Sequence, residues 1–271
     1  MRPTKALGQH FLIDPNLARA IVADAGIGPD DRVVEVGAGF GSLTVALAAT
    51  GAEVFAVESD RGLVAALDEV VGDRPSVRVL HADAMHIDWP ATLGGGDWIV
   101  CANLPYNLAS PLVLDLLGGV PAIRRLVVMV QREVGERLIA SPGDDGYGAV
   151  SVRVAYRAAG AIVRRVPPEV FWPRPKVDSV VVRLDRLDAP PVEVDESALW
   201  SLIEAGFAER RKTMRNALRR MGLGIEEAGE VLVTCGVAPA ARAEQLDLAT
   251  FACLARRLAG RAGDGAAGST T

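Results

Sequence analysis

Residues Arg32–Thr44 read RVVEVGAGFGSLT, and this stretch decides the fold. Its first five residues form a β-branched apolar run of a length suited to a buried strand. Gly37, Gly39 and Gly41 then punctuate the chain and open directly into a helical pattern. Outward from there the rhythm repeats. EVFAVE (Glu53–Glu58), VRVL (Val77–Leu80), DWIVCA (Asp97–Ala102) and RLVVMV (Arg125–Val130) each stand between helical patterns. That alternation predicts βαβ units and a mostly parallel, doubly wound α/β sheet. Upstream, Asp14-Pro15 is a cap residue with proline in the first turn, and Leu17, Ile21 and Val22 follow at helical spacing up to Gly26.

Beyond Tyr147 the pattern changes. VSVRVAY, AIVRRV and SVVVRL come without long helices between them and predict antiparallel strands added at one sheet edge. From Pro190 the spacing of Leu199, Leu202, Ile203 and Phe207 is helical and stays so to about Leu258. The expected organisation is a Rossmann-like catalytic domain over 1–188, a small all-helical domain over 192–259, and a Gly-rich tail, 260–271, too polar to pack and expected to be disordered.

Composition narrows the class. With 271 residues, half of them hydrophobic, the chain can bury a sizeable core. No apolar run reaches the roughly 20 residues of a membrane span, and MRPTKALGQHFLIDP has no signal-peptide core, so the expectation is a cytoplasmic protein with no membrane partner. Cys101, Cys235 and Cys253 are widely spaced and odd in number, which predicts three buried thiols. The net charge of −5 argues against a generally basic nucleic-acid binder, but ERRKTMRNALRR (Glu209–Arg220) sets six basic residues against one acid. A helix there puts Met214, Leu218 and Met221 on one buried line. Lys212, Arg215, Arg219 and Arg220 then form a positive face suited to RNA phosphates. Arg157 and Arg164, near Tyr156, add a second basic region.

Glu58 lies about 20 residues after the glycine turn, at the end of the second strand, where a carboxylate can accept both hydroxyls of a ribose. The spacing is G-x-G-x-G rather than the G-x-G-x-x-G of dinucleotide folds, and no basic group stands near the loop to hold a phosphate. Asp83 in HADAM ends the third strand and suits an adenine amine. These features favour S-adenosyl-L-methionine over NAD. His81, Asp83 and His86 lack a fourth ligand, so no metal is expected.

The fourth strand opens into Asn103-Leu104-Pro105-Tyr106. The lone pair on N6 of adenine is delocalised into the ring, which makes the amine a poor nucleophile. An Asn103 side-chain oxygen and a Leu104 carbonyl that each accept one N–H turn that lone pair towards an electrophile without a strong base. Pro105 fixes the backbone, and Tyr106 offers a face for a flipped-out base.

Together NLPYN, VEVGAGFGSLT, VESD and HADAM resemble the ribosomal RNA adenine N6,N6-dimethyltransferases. The resemblance runs through GQHFL, GYGAVSV, VFWPRPKVDS, ERRKTMRN and the C-terminal GVAPAARAEQL, which is similar to the bacterial small-subunit branch associated with kasugamycin sensitivity. It implies dimethylation of two adjacent adenines in the 3′-terminal hairpin of small-subunit RNA, within an immature 30S particle, by a monomer. It also implies that His10 and Leu12 border the methionine part of the cofactor, with Gly37 against it, Glu58 on the ribose and Asp83 on the adenine. Asn103 is then both cofactor-adjacent and catalytic, and Tyr106 and Phe171 sandwich the target base. His10, Ala38 and Ser59 depart from the usual family residues. The alternatives are a large-subunit RNA methyltransferase with the same pocket, or a ribosome-assembly factor with vestigial transfer activity. An NAD-dependent oxidoreductase is a distant third.

Overall fold

The structure is a computed structural model and describes residues 10–105, 108–209 and 211–267. Its contacts divide the chain into two units. One comprises residues up to Ile139 together with Arg157–Leu187, and the other Ala140–Tyr156 together with the chain from Asp188 onward.

The first unit is built on a seven-stranded sheet. In chain order its elements are β1 (Phe11–Leu12), α1 (Pro15–Ala25), β2 (Arg32–Val36), α2 (Ser42–Ala48), β3 (Glu53–Glu58), α3 (Arg61–Val71), β4 (Val77–His81), α4 (Trp89–Leu93), β5 (Trp98–Asn103), α5 (Ala109–Gly119), β6 (Ile123–Gln131) and α6 (Arg132–Ile139). After α7 (Ala149–Arg157) come β7 (Ala158–Val166), β8 (Phe171–Trp172) and β9 (Ser179–Arg186). The large sheet has the order β4-β3-β2-β5-β6-β9-β7, with β1 and β8 forming a separate two-stranded ribbon. The pairs from β4 through β6 are parallel, whereas β9 joins β6 and β7 antiparallel. The two central strands β2 and β5 are almost wholly buried, as expected for a sheet covered on both faces. Helix α1 starts and stops as its sequence dictates: Asp14 accepts from the N–H groups of Asn16 and Leu17, and Gly26 closes the end at φ 64°.

One expected strand is a correction. VSVRVAY forms helix α7 and belongs to the second unit, and among the described residues β7 and β9 make the antiparallel edge. Its alternation of valines has the period of a strand, yet Ser151, of the opposite parity, is buried as well. The helix buries Val152 and Tyr156, four apart, on one stripe, with Val154 beside them.

The second unit adds α8 (Glu196–Phe207), α9 (Met214–Arg220), α10 (Ile225–Thr234) and α11 (Leu248–Ala267). Tyr147, Leu202, Met214, Leu232 and Phe251 share its core, and the buried Tyr147 hydroxyl donates to the Leu246 carbonyl at 2.7 Å. The last helix enters the stretch expected to be disordered, whose final residues 268–271 lie outside the described ones. The three-thiol expectation is also corrected: Cys235 and Cys253 form a disulfide, and Cys101 alone is a buried free thiol. Linear spacing hid the pair, because the αα-hairpin of α10 and α11 is what returns Cys253 to the end of α10. No helix among the described residues is long and apolar enough to cross a membrane.

Candidate functional site

A cavity opens at the carboxyl ends of β2, β3 and β5, where an open parallel sheet presents ligands. His10, Phe11, Leu12, Glu35, Gly37, Gly39, Phe40, Glu58, Asn103, Leu104 and Pro105 are among its lining residues.

Its floor is the glycine turn. Gly37 and Gly39 have φ values of 73° and 58°, a region that favours glycine, and a Cβ on Gly39 would stand 3.0 Å from the Phe11 ring. The turn is locked to the next strand: Gly37 N–H donates to the Val57 carbonyl at 2.8 Å, and Gly39 N–H donates to Glu58 Oε2 at 2.9 Å. Glu58 Oε1 accepts from Ser59 and Asp60 N–H, both at 2.9 Å. The expected ribose carboxylate is therefore buried and aimed by three backbone donors.

Asn103 ends β5. Its Nδ2 donates to the His10 carbonyl at 2.9 Å, and among the described residues its Oδ1 has no partner. No backbone donor among the described residues reaches the adjacent Leu104 carbonyl, while the Leu104 N–H is taken by Met129 O at 3.1 Å. His10 Nδ1 lies 2.6 Å from the Pro173 carbonyl, and because a carbonyl only accepts, that nitrogen carries the hydrogen. Two acceptors thus stand ready beside the cavity, in a backbone held from both sides.

The structure brings His10, Leu12, Gly37, Glu58, Asn103, Leu104 and Pro105 together, and leaves two expected residues out. Asp83 is exposed beyond β4, where its carboxylate caps Met85 N–H at 2.9 Å and pairs with His86 at 3.1 Å. Phe171 is 3% exposed and packs in the core with Leu12, Ile21 and Val181, so it does not line the cavity. The resemblance implies a Phe171 against the target base, but in the β1–β8 ribbon Phe171 takes the inward side. Tyr106 lies outside the described residues. Among the described residues no group of three or more His, Cys, Asp or Glu is placed to hold a metal.

Glu35 was missed. It lines the cavity, is 2% exposed, and its Oε2 has no hydrogen-bond partner. Burial pushes its pKa up to about 8, the neighbouring Thr44 opposes the rise, and the charge of Glu58 adds to it. The available signal was an acid inside the apolar run RVVEV. A sulfonium cofactor with a ribose fits this donor set: a buried carboxylate at a strand end, a backbone that glycines leave open, and an unpartnered acidic oxygen facing a cationic ligand.

In the second unit α9 buries Met214, Ala217 and Leu218 and leaves Arg215, Arg219 and Arg220 exposed, with Lys212 exposed just before it. Met221, expected on the buried line, is 37% exposed because the helix ends at Arg220. Arg220 is tied to Glu209 and to the Ala205 carbonyl, so its charge is partly spent internally. Of the second expected basic region, Arg164 pairs bidentately with Asp24 and Tyr156 is buried.

Residues 2–259 match the family model described as ribosomal RNA adenine dimethylase. The chain is 42% identical over 266 residues to ribosomal RNA small subunit methyltransferase A of Moorella thermoacetica, covering 94% of this chain and 92% of that protein. It is 45% identical over 267 residues to the protein of the same name from Rhodococcus opacus, covering 94% and 88%. Among solved structures, the 23S rRNA methyltransferase ErmE superposes with a TM-score of 0.71 at 26% identity, covering 92% of this chain and 99% of that one. A dimethyladenosine transferase from Plasmodium falciparum shares the fold at a TM-score of 0.80 and 24% identity, covering 93% and 98%.

Proposed function

The chain belongs to the ribosomal RNA adenine dimethylase family, and from that membership we propose that it transfers methyl groups from S-adenosylmethionine to N6 of adenines in small-subunit ribosomal RNA. The observation that carries this reading is the hydrogen bond from Asn103 Nδ2 to the His10 carbonyl. With the amide nitrogen engaged, Oδ1 is left as an acceptor next to the Leu104 carbonyl, and two acceptors are what an exocyclic amine with two hydrogens requires. Holding both hydrogens moves the amine towards tetrahedral geometry and exposes its lone pair, and the proton lost afterwards leaves a far more acidic, alkylated nitrogen. Preorganised acceptors of this kind cost no rearrangement at the moment of reaction.

When bound, the cofactor supplies a methyl group on a positively charged sulfur, and the chain's residues do the rest. Glu58 holds the ribose hydroxyls, Gly37 admits the methionine backbone, and His10 and Leu12 close over it. Pro105 keeps Asn103 and Leu104 in register, and Tyr106 stacks on the base. Asp83 takes the adenine amine on its second carboxylate oxygen while the first keeps its cap on Met85. Lys212, Arg215 and Arg219 take RNA phosphates. The substrate is two adjacent adenines near the RNA 3′ end in an immature 30S particle, and the enzyme acts as a monomer in the cytoplasm. The small-subunit names of the relatives support this branch over the large-subunit one.

Labelled S-adenosylmethionine incubated with small subunits lacking the modification, with large subunits and with naked RNA tests the reading. Label confined to two adjacent adenines of the small subunit is expected. Label in the large subunit, or none, overturns it.

A further inference from the structure

Resting on that reading, the question left by a buried Phe171 is which side chain meets the RNA at the mouth of the cavity. The β1–β8 ribbon answers it by register. Phe11 pairs with Trp172, and Leu12 pairs with Phe171. Directly opposed residues of an antiparallel pair share a face, and successive residues alternate. Leu12 and Phe171 therefore take the inner face, where both are buried in one cluster. Phe11 and Trp172 take the outer face. There Phe11 lines the cavity and packs its ring 4.6 Å from that of Phe40. Trp172 has no such cover and is 50% exposed, the largest side chain type left open to solvent among the described residues.

The ribbon is also fastened to the acceptor set. Asn103 holds the His10 carbonyl, His10 holds the Pro173 carbonyl, and Ile13 N–H donates to Val170 O at 2.9 Å at the other end. Trp172 thus stands on a pinned backbone two hydrogen bonds away from Asn103. Its surroundings suit one class of ligand. Ile13 and Val177 are exposed apolar neighbours in sequence of the ribbon, and on the strand's outgoing loop Lys176 is an exposed cation while the exposed Arg174 is paired with Glu169, in an otherwise acidic chain. An open indole next to cations, on a rigid edge, is how proteins hold unpaired bases while neutralising their phosphates.

We propose that Trp172 is a stacking platform for an unpaired nucleobase of the RNA substrate at the mouth of the cavity, with Lys176 on a flanking phosphate, and that Phe171 anchors the ribbon from within. Trp172 is a positioning residue for the RNA and does not touch the cofactor.

The test uses the full chain and small subunits lacking the methyl groups. Trp172→Ala and Trp172→Leu, which removes the aromatic plane but keeps apolar bulk, are expected to weaken subunit binding and raise KM roughly five- to a hundredfold. Trp172→Phe should retain most of the affinity, and S-adenosylmethionine affinity and Tm should stay at wild-type values in all three. Ultraviolet crosslinking of the wild type should join the Trp172 peptide to a nucleotide. Wild-type binding by both the Ala and Leu variants, an equal loss in Trp172→Phe, or a crosslink to a ribosomal protein instead of RNA overturns the proposal. If the wild type methylates no rRNA adenine, the functional reading fails instead, and the crosslink still decides whether Trp172 meets a base.

Discussion

Asn103 Nδ2 donates to the carbonyl of His10 at 2.9 Å, joining residues 93 positions apart. The bond fixes which end of the amide faces the site. Asn103→Ala is expected to depress single-turnover methyl transfer by at least about a hundredfold with cofactor affinity changed modestly. Asn103→Asp is the sharper variant, because it keeps an acceptor but sets a carboxylate against the His10 carbonyl. It should lose transfer comparably. A near-normal rate in either variant would mean that the amine is oriented by another group.

Glu58→Ala should weaken S-adenosylmethionine binding by roughly 1.5–3 kcal/mol, the cost of losing a hydrogen bond to a charged group. Because three backbone N–H groups lose their acceptor, the same change should also lower Tm. Calorimetry on protein shown to be folded separates the two effects, and unchanged affinity would remove Glu58 from the ribose site.

Glu35 makes stability fall as pH rises. Its ordinary pKa of 4.5 is raised by burial to about 8 in the folded chain, so between those values the folded state holds a proton that the unfolded state has released. Unfolding free energy therefore declines by up to about 1.4 kcal/mol per pH unit across that window. Glu35→Gln, which cannot titrate, should flatten the dependence and melt higher than wild type at pH 8. A cationic ligand entering the cavity favours the ionised form, so cofactor binding near pH 7 should release protons, read as a calorimetric enthalpy that varies with the buffer.

Charge reversal at Arg215 and Arg219 should weaken small-subunit binding and flatten its salt dependence, since fewer counterions are released, while leaving cofactor affinity intact. Arg220 behaves differently. Its ties to Glu209 and Ala205 make Arg220→Ala chiefly a stability variant, visible in melting. An unchanged salt slope in the Arg215 and Arg219 double variant would show that phosphates bind elsewhere.

The Cys235–Cys253 bond closes a loop of 18 residues, and such a cross-link is worth about 3 kcal/mol in the chain-entropy account. Unfolded without reductant, the protein should titrate one thiol, that of Cys101. Cys253→Ser should lower Tm by an amount that reductant produces in the wild type and not in the variant.

What the sequence made legible were the features written locally. The run RVVEV became β2 and EVFAVE became β3 at the same residues, because a β-branched run ended by Gly37 or by Ser59-Asp60 has few other options. Glu58 and Asn103 stood where strand ends converge, and that follows from the parallel sheet alone. What stayed hidden depends on pairing between distant segments. The inward side of Phe171 is set by its register with Leu12, and the exposure of Trp172 follows from the same pairing. An acid inside the apolar run RVVEV hinted at Glu35, but its burial against the cavity follows from β2 lying between β3 and β5. The helix of VSVRVAY needed partners from beyond residue 188 to reveal which of its faces is apolar.

Residues 140–156 pack with a unit whose remaining chain begins only at Asp188, after the 31 residues Arg157–Leu187, so the polypeptide passes between the two units three times. Covalent order and structural membership are therefore out of step, and the molecule is not a pair of beads on a string. A truncation at Asp188 would strand Tyr147, Val152 and Tyr156 without the helices that cover them, and the excised C-terminal piece would lack part of its own interior. Any chimera that borrows the helical unit for another catalytic scaffold has to carry this inserted segment as well. A recombination point drawn at Asp188 alone yields two incomplete halves.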